Sequence, residues 1–220
     1  MFLDRYPPRV RIDIWSDIVC PWCYIGYTRL NQALEQYEGE VEIYHHAFEL
    51  DSHAENDGSL TSVKLAEKYG IDVEQALGMM EDVTETAATV GLKYRLAETQ
   101  HGNTRLAHRL VAAAATVGLG GALLQRLFAA YFEGAEPVFT ADQLRPHAEA
   151  VGMSADLIDS VFEGDAFADV VEEDRQIAEQ INVRGVPFFA FNQRLAVAGA
   201  ESVEVLLGAM AQAELPASDD

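Results

Sequence analysis

The sequence contains little cysteine and little lysine, and each shortage excludes a class of protein. Two of its 220 residues are cysteines, whereas a secreted scaffold held together by disulfides needs more of them, at wider spacing. Three of its 15 basic residues are lysines, against 36 acidic residues and a formal net charge of −21. Because binding to phosphate groups requires clustered lysine and arginine, this charge excludes nucleic acid as an expected partner and argues against anionic membrane surfaces.

Long apolar segments are also absent. The longest apolar stretch, residues 110–124, is interrupted by one threonine and three glycines, and it is too short to span a bilayer. Residues Met1–Pro8 show no positive region followed by an apolar run, so a secretory signal is not expected. Apart from the short tail Pro216–Asp220, no low-complexity tract or internal repeat is visible. These observations predict an intracellular, cytoplasmic protein without membrane contact.

The remaining composition is that of a folded protein adapted to salt. Hydrophobic residues make up 49% of the chain and charged residues 23%, which allows a buried core despite the net charge. An acidic excess with scarce lysine is typical of salt-loving microbes, in which hydrated carboxylates keep proteins soluble. Dissolved salt screens the repulsion among these carboxylates. We therefore predict a halophilic protein.

The chain begins with the pattern of two strands joined by a helix. Val10, Ile12 and Ile14 alternate with polar neighbours, which predicts a strand over residues 9–15. A helical pattern follows over residues 25–37, and residues 41–48 have the pattern of a second strand. Two consecutive strands connected in this way form a right-handed parallel βαβ unit.

Strand patterns then disappear, and alanine, glutamate and leucine dominate up to residue 182. This region predicts helices at residues 62–69, 73–90, 104–117, 120–133, 140–150, 154–162 and 166–181. A hairpin over residues 188–191 and 195–198 follows, and a last helix at 201–213. Since a hairpin this small is not stable alone, we expect it to complete the sheet begun at the N-terminus.

The predicted fold class is therefore α/β, with a large helical block inserted between the second and third strands. The predicted parts are an N-terminal half at residues 1–60, an inserted helical domain at 61–182 and a C-terminal half at 183–220. Four glycines occupy predicted helix C-termini, namely Gly70, Gly91, Gly118 and Gly152. Thr140 and Asp165 are predicted helix N-caps.

The motif that carries chemistry is Cys20-Pro21-Trp22-Cys23, which follows the first strand and opens the first helix. A thiol at a helix N-terminus faces unpaired backbone N–H groups and the positive end of the helix dipole, and both favour the nucleophilic thiolate. We expect Cys20 to be the attacking, more exposed sulfur and Cys23, one helical turn further, to be the resolving one. Pro21 lacks an N–H and suits the first helical turn, and Trp22 is expected to cover part of the site.

Two other interpretations of this motif stay open. A Cys-x-x-Cys pair can be half of a zinc site, but a second pair of ligands is missing and the six histidines show no zinc-finger spacing after it. We therefore predict no metal site. The pair can also be structural, without redox chemistry.

A second candidate element is Gly185-Val186-Pro187, at the start of the third strand. A proline opens a strand where no backbone N–H is needed. If the bond before Pro187 is cis, the preceding backbone is free to pair with an extended peptide. The alternative is an ordinary trans proline at a strand edge, since cis bonds are a small minority of X-Pro bonds.

Together, a strand, a Cys-Pro-x-Cys at a helix start and a Gly-Val-Pro at a later strand resemble the thioredoxin-fold pattern. The large helical insertion is similar to that of the DsbA-like thiol–disulfide oxidoreductases. Residues Ser16–Gly26 most resemble the intracellular FrnE-like branch, which is related to the 2-hydroxychromene-2-carboxylate isomerases and the kappa-class glutathione transferases. Residues Asn103–Arg109 resemble the Asn-x-x-x-Ala-His segment of the same branch.

The resemblance implies a thioredoxin fold, with Cys20 and Cys23 as the redox pair and Pro187 as a cis-proline that faces them. It also implies that Val186 offers backbone groups to a substrate by β-augmentation. The isomerase and transferase relatives usually carry serine where Cys20 stands and use it with glutathione. The presence of both cysteines here favours dithiol chemistry instead.

His108 and Asn103 are further candidates for substrate binding. On the predicted helix 104–117, His108 lies away from the apolar face that contains Leu106 and Leu110, which would direct it toward a groove between the two domains. The alternative is a helix-capping asparagine and a hydrogen-bonded structural histidine.

Three other groups are interpreted as structural. His45 and His46 lie in the second strand and are expected to be structural or exposed. The acidic run Glu172–Asp174 is expected to be a solvated helix face, and the pair Met79–Met80 to pack in the core.

The expected function is thiol–disulfide exchange with protein substrates, through a mixed disulfide on Cys20 that Cys23 resolves. No prosthetic group is required, and the expected partners are protein thiols and disulfides or a small thiol such as glutathione. One alternative is a glutathione-dependent isomerase or transferase acting on a small aromatic substrate. Another is a chaperone-like or partner-binding protein whose cysteines form a redox switch. Relatives in the isomerase and transferase branch imply a homodimer as one candidate assembly.

Overall fold

The computed structural model describes residues 9–215. The segments Met1–Pro8 and Pro216–Asp220, on which the expectations about a signal and a tail depend, lie outside the described residues. Within the described part of the chain, no helix is long and apolar enough to cross a bilayer.

A four-stranded sheet forms the centre of the fold. Its strands are β1 Val10–Ser16, β2 Val41–Ala47, β3 Phe188–Phe191 and β4 Leu195–Ala198. They lie in the order β2-β1-β3-β4. The β1–β2 pair is parallel, and β1–β3 and β3–β4 are antiparallel. The terminal hairpin therefore completes the sheet begun by β1 and β2, as predicted.

Nine α-helices lie around this sheet within residues 9–215. They are α1 Pro21–Leu34, α2 Thr61–Tyr69, α3 Val73–Ala88, α4 Arg105–Ala115, α5 Gly120–Phe132, α6 Ala141–Ala150, α7 Ala155–Phe162, α8 Ala168–Gln180 and α9 Val203–Glu214. A short 3-10 helix, Leu96–Glu98, was not predicted. Helices α2 to α8 lie between β2 and β3, so the predicted insertion is confirmed. The division into domains stays a prediction.

Helix α1 opens at the Cys-Pro-Trp-Cys motif, as expected, which is before the helical pattern of residues 25–37, and its end differs from that pattern. It begins at Pro21, since Cys20 has the extended backbone of an N-cap and proline fits the first helical position. It ends at Leu34 rather than at residue 37. Tyr37 instead packs against the sheet core and donates its hydroxyl to Glu214 on α9. Starting the helix earlier places the whole Cys-Pro-Trp-Cys motif at its N-terminus.

The predicted helix ends are confirmed only in part. The C-caps of α3, α4 and α6 are Thr89, Thr116 and Val151, so Gly91, Gly118 and Gly152 follow the caps by one or two residues, each with positive φ. Gly70 is the left-handed C-cap of α2, with φ of 65°. Thr140 is the N-cap of α6, and its backbone N–H donates to the side chain of Gln143 at 3.1 Å. The N-cap prediction for Asp165 is wrong, because α8 begins at Ala168 after a left-handed Phe167.

Two buried cores explain where the cysteines lie. One core packs Val10, Ile12 and Ile14 of β1, with Phe189 and Phe191 of β3, against α1 and α9. The larger core joins the first half of α1, including Cys20 and Cys23, to the inserted helices. The motif therefore lies where the sheet and the helical insertion meet.

Candidate active site

The end of β1 and the start of α1 position the two cysteines. Cys20 is the N-cap of α1, and its N–H donates to the carbonyl of Asp17 at 3.1 Å. The N–H of Cys23 donates to the carbonyl of Cys20 at 3.0 Å. Both thiols are free, and the residues are 4% and 1% exposed. Cys20 is the more exposed of the two, as expected, but only by a small margin.

The structure brings Cys20 together with the Val186–Pro187 segment. The Cys20 thiol donates to the carbonyl of Val186 at 3.5 Å, and the Val186–Pro187 peptide bond is cis. This close approach depends on Gly26 in α1, because a Cβ atom there would lie 2.8 Å from Cγ of Pro187. The carbonyl of Val186 therefore lies directly beside the Cys20 thiol.

The surroundings of Cys23 disfavour ionisation of its thiol. Burial raises the pKa of its thiol well above the ordinary value, and the hydrogen bond to Cys20 and the charge of Cys20 add to this effect. The backbone N–H of Asp17 acts in the opposite direction. The folded protein therefore disfavours the thiolate form of Cys23.

Pro21 and Trp22 occupy different surroundings. Pro21 is in the first turn of α1, and its carbonyl accepts a hydrogen bond from the Tyr94 hydroxyl at 2.7 Å. Trp22 is 41% exposed. Its indole therefore presents apolar surface to solvent next to the cysteine pair.

The sequence of the chain matches a known domain family. Residues 11–211 match the family described as the DSBA-like thioredoxin domain. The chain belongs to this DsbA-like family. No curated protein matches the chain.

Solved structures of similar fold include oxidoreductases and an isomerase. A probable DsbA oxidoreductase from Streptomyces coelicolor is 36% identical, with a TM-score of 0.87, and the match covers 93% of this chain and 89% of that one. A 2-hydroxychromene-2-carboxylate isomerase is 16% identical, with a TM-score of 0.67 and coverage of 92% and 95%. The cytosolic disulfide reductase DsbM from Pseudomonas aeruginosa, solved with GSH, is 17% identical, with a TM-score of 0.62 and coverage of 93% and 95%. The finer placement in the FrnE-like branch stays a prediction.

Asp17 is a site residue of this DsbA-like chain to which the sequence analysis gave no role. Its carboxylate is 1% exposed and accepts a hydrogen bond from the N–H of Leu50 at 2.8 Å. The other carboxylate oxygen lies 3.2 Å from Nε2 of His108. A charged residue three positions before Cys20, at the end of a buried strand, is the signal that could have indicated it.

His108 is buried rather than turned toward an open groove. It is 4% exposed, in contact with Asp17. Its Nε2 faces the carboxylate of Asp17, in the loop between β1 and α1, so the side chain does not face an open groove. Any influence of His108 on a substrate would therefore act through Asp17.

Asn103 connects two loops and makes no described contact with the cysteines. Its Nδ2 donates to the carbonyl of Ser52 at 3.0 Å, and its Oδ1 accepts from the N–H of Arg105 at 3.0 Å. Its own N–H donates to Asn56 at 2.8 Å. This favours the capping alternative, although Thr104 is the formal N-cap of α4. A role for Asn103 in substrate binding stays a prediction.

A second buried cluster lies on β2 and corrects the expectation for Asp174. Asp174 is 7% exposed instead of solvated. Its carboxylate lies 2.6 Å from Nδ1 of His46 and accepts from the N–H of Ala47 at 2.8 Å. Nε2 of His46 lies 2.8 Å from Asp13. One carboxylate of the acidic run is thus turned inward to attach α8 to the sheet.

The remaining structural expectations are confirmed only in part. His45 is half-buried in β2, and desolvation lowers its pKa to about 4. Met80 is 5% exposed and packs in the core, but the expectation for Met79 is wrong because 47% of it is exposed. Adjacent residues on a helix point about 100° apart, so both cannot face one core. Within residues 9–215 no group of three metal-ligating side chains is arranged to hold an ion.

Proposed function

We propose that the protein exchanges disulfides with protein substrates through Cys20 and Cys23. The observation that carries this proposal is the free Cys20 thiol at the N-terminus of α1, 3.5 Å from the carbonyl of Val186. This geometry supports nucleophilic attack because the helix N-terminus favours the thiolate. It also supports docking of the substrate backbone beside the nucleophile.

In the proposed mechanism, the thiolate of Cys20 attacks a substrate disulfide and forms a mixed disulfide, and one substrate sulfur leaves as a thiolate. Cys23 then attacks Cys20, releases the second substrate sulfur and leaves the Cys20–Cys23 disulfide. The reverse sequence oxidises a substrate dithiol. The direction follows from the reduction potential relative to that of the partner. No prosthetic group takes part.

Substrate binding is proposed to use the Val186 backbone. Val186 precedes β3 and lies beside Cys20, and β3 pairs with β1 and β4 only from Phe188 onward. An extended peptide at Val186 would present its cysteine to Cys20, in the manner of strand addition. The exposed indole of Trp22 offers apolar contact to the same peptide.

The test is reduction of insulin disulfides by dithiothreitol, together with refolding of a scrambled disulfide protein. We expect Cys20→Ser to lose the catalysed part of both activities, because it lacks the nucleophile. Cys23→Ser should accumulate mixed disulfide and turn over slowly. Full activity of Cys20→Ser would overturn the proposal.

Glutathione is the second candidate partner. Two structures of the same fold favour testing it, since one is described as an isomerase and the other as a cytosolic disulfide reductase with GSH. A glutathione-dependent isomerase or transferase would keep turning over a small aromatic substrate without Cys23. Turnover of a chromene substrate by Cys23→Ser with glutathione would favour this alternative, whereas loss of all activity favours dithiol exchange.

We further propose that the protein works in the cytoplasm, where thiols are kept reduced and disulfide-stapled scaffolds are rare. The similarity in fold to a reductase described as cytosolic supports this placement. A homodimer is proposed as the assembly. Sedimentation at micromolar concentration checks the assembly, and a single species of 24.2 kDa would contradict it.

A further inference from the structure

A cavity of about 400 Å³, here called the far-face cavity, lies on the side of the sheet opposite to α1 and α9. Val10, Ile12 and Ile14 of β1 face those two helices, and the alternate residues of the strand line the cavity instead. Its volume is within the range of sites that bind small molecules. Among the described residues, neither cysteine nor Val186 lines this cavity, so it is separate from the proposed exchange site.

One wall of the far-face cavity is apolar and aromatic. The indole of Trp15 meets the ring of Phe188 edge-on, with centroids 5.9 Å apart. Ile177 and Ile181 at the end of α8 and Leu195 on β4 continue this wall. Ile181 is 45% exposed, so the wall leaves apolar surface in contact with water. A ligand with a flat apolar body would remove this surface from water, which is favourable.

The charged lining of the cavity is opposite in sign to the net charge of the chain. Two arginines and one histidine line it together with a single carboxylate, Asp13, whereas the whole chain carries a net charge of −21. Asp13 is already paired, since it accepts hydrogen bonds from Arg11 at 2.8 and 2.6 Å and lies 2.8 Å from His46. Asp174 pairs with His46 from outside the cavity. The charge that remains is that of Arg194, so the cavity favours an anion.

Arg194 is fixed in position and keeps donors for a ligand. Its Nη2 donates to the carbonyls of Ala213 and Leu215, at 2.7 and 3.2 Å, at the end of α9. The described contacts of Arg194 involve Nη2 alone, and none of them is with a carboxylate. Asn192 fixes the same hairpin loop, because its side chain donates to Ala213 at 2.9 Å. A guanidinium held through one nitrogen can offer its other N–H groups to the oxygens of an anion.

We propose that the far-face cavity binds a small aromatic anion, that is, a ring system that carries one carboxylate or sulfonate. The rings pack against Trp15 and Phe188, as aromatic groups do in such sites. The anionic group accepts hydrogen bonds from Nε and Nη1 of Arg194. This is a second binding site, and it does not depend on the cysteines or on the proposed exchange function.

Two matched dyes serve as probes for this site. The anion is 1-anilinonaphthalene-8-sulfonate, whose fluorescence rises when it enters an apolar site. The neutral comparison is N-phenyl-1-naphthylamine, which has the same rings without the sulfonate. We expect the wild-type protein to bind the anionic dye saturably, at one site. The comparison between the dyes separates the contact with the arginine from the contacts with the apolar wall.

Arg194→Gln tests the contact with the anionic group. We expect the anionic dye to bind at least roughly tenfold more weakly than to wild type, as for loss of a hydrogen bond between charged groups. The neutral dye should bind within about twofold of wild type, because the apolar wall is unchanged. Arg126→Gln makes the same change in charge at an exposed position of α5 outside the cavity, and it should bind both dyes as wild type does.

Ala196→Trp tests the space for the rings. Ala196 is an exposed residue of β4 that lines the cavity, so an indole there would take the place of the rings of the ligand. Both dyes should lose their binding, while the protein keeps its thermal unfolding transition. Ala88→Trp, at an exposed position of α3 outside the cavity, adds the same side chain and should keep the binding of both dyes.

The indole N–H signals in a proton–nitrogen correlation spectrum show where the dye binds. The chain has two tryptophans, and the signal that is lost in Trp22→Phe belongs to Trp22. Saturation with the anionic dye should shift the signal of Trp15, which lines the cavity. The signal of Trp22, in the first turn of α1 between the cysteines, should not move.

Four results would overturn the proposal. They are the lack of saturable binding to wild type, equal affinity of Arg194→Gln and Arg126→Gln for the anionic dye, an equal loss of both dyes in Arg194→Gln, and a shift of the Trp22 signal in place of the Trp15 signal. Binding that appears only after removal of residues 216–220 would also contradict it, because the acidic end of the chain would then be the occupant. Insulin reduction is a separate measurement, so failure of this proposal is distinguishable from failure of the exchange function.

Discussion

His46 shows how a single residue can join three elements of the fold. Its two ring nitrogens face Asp13 on β1 and Asp174 on α8, and its ring stacks on Trp15 with centroids 4.4 Å apart. Burial alone would lower the pKa of His46, but the hydrogen bonds and charges of Asp174 and Asp13 outweigh it and raise the pKa. The imidazolium is therefore the form that the site stabilises.

The raised pKa predicts a pH-dependent contribution to stability. Because the folded pKa lies above the ordinary value of 6.5, the contribution is complete below about pH 6.5 and is lost as the pH rises through the folded pKa. His46→Gln removes the charged partner of Asp174 and one of the partners of Asp13, while Asp13 keeps Arg11 and Asp174 keeps the N–H of Ala47. We expect it to lower the free energy of unfolding by about 1.5–3 kcal/mol at low pH, the range for hydrogen bonds to charged groups.

Urea unfolding of wild type and His46→Gln between pH 5 and 9 measures this difference. The difference in the free energy of unfolding between wild type and His46→Gln should narrow as the pH rises. His53→Gln, which replaces an exposed histidine, should show no such trend. A difference that stays constant or widens at high pH would contradict a charged His46.

At the scale of the elements, Gly26 allows α1 to pack closely against the segment before β3. A methyl group at this position would lie 2.8 Å from Pro187 and 3.3 Å from Phe189. Gly26→Ala must therefore displace the Pro187 segment from Cys20. We expect a loss of stability of about 1–3 kcal/mol, as for overpacking, and a several-fold slower exchange reaction.

Gly78 provides the matched substitution. It lies inside α3, and a Cβ there would meet nothing within 4 Å. Gly78→Ala should raise stability by about 0.5–1 kcal/mol, since alanine is the better helix former, and leave exchange unchanged. Thermal unfolding measures the change in stability, and insulin reduction measures the change in exchange rate. The same changes in Gly26→Ala and Gly78→Ala would contradict the steric explanation.

How far the sequence predicts these elements depends on the range of the interactions. The order of strands and helices follows from local periodicity, and the start of α1 from Pro21. Local pattern could not show that Asp174 turns inward, because its partner His46 is 128 residues away. The same holds for the Asp17–His108 contact, which spans 91 residues. Whether a charged residue is buried is decided by such distant partners. The contacts of Asp174, Asp17 and His108 are therefore visible only in the folded chain.

At the scale of the whole molecule, the net charge of −21 should make stability depend on salt. Carboxylates repel one another more in the compact state, and the screening length falls from about 30 Å at 0.01 M salt to about 8 Å at 0.15 M. We expect the Tm to rise over this range, where a gain of about 1 kcal/mol corresponds to roughly 2–4 °C.

Thermal unfolding in sodium chloride and in potassium chloride checks this prediction. Screening depends on ionic strength, so the two salts should give the same rise. A Tm that does not change or falls with salt would contradict the proposal of a protein suited to high salt.

The central claim is that Cys20 forms the covalent bond to substrate and that Cys23 breaks it. The most direct measurement is mass spectrometry of reduced Cys23→Ala after reaction with insulin whose disulfides are intact, followed by proteolysis to locate the adduct. We expect a stable mixed disulfide between insulin and the peptide containing Cys20, which wild-type protein does not accumulate. Absence of any adduct on Cys20, with insulin still being reduced, would contradict it.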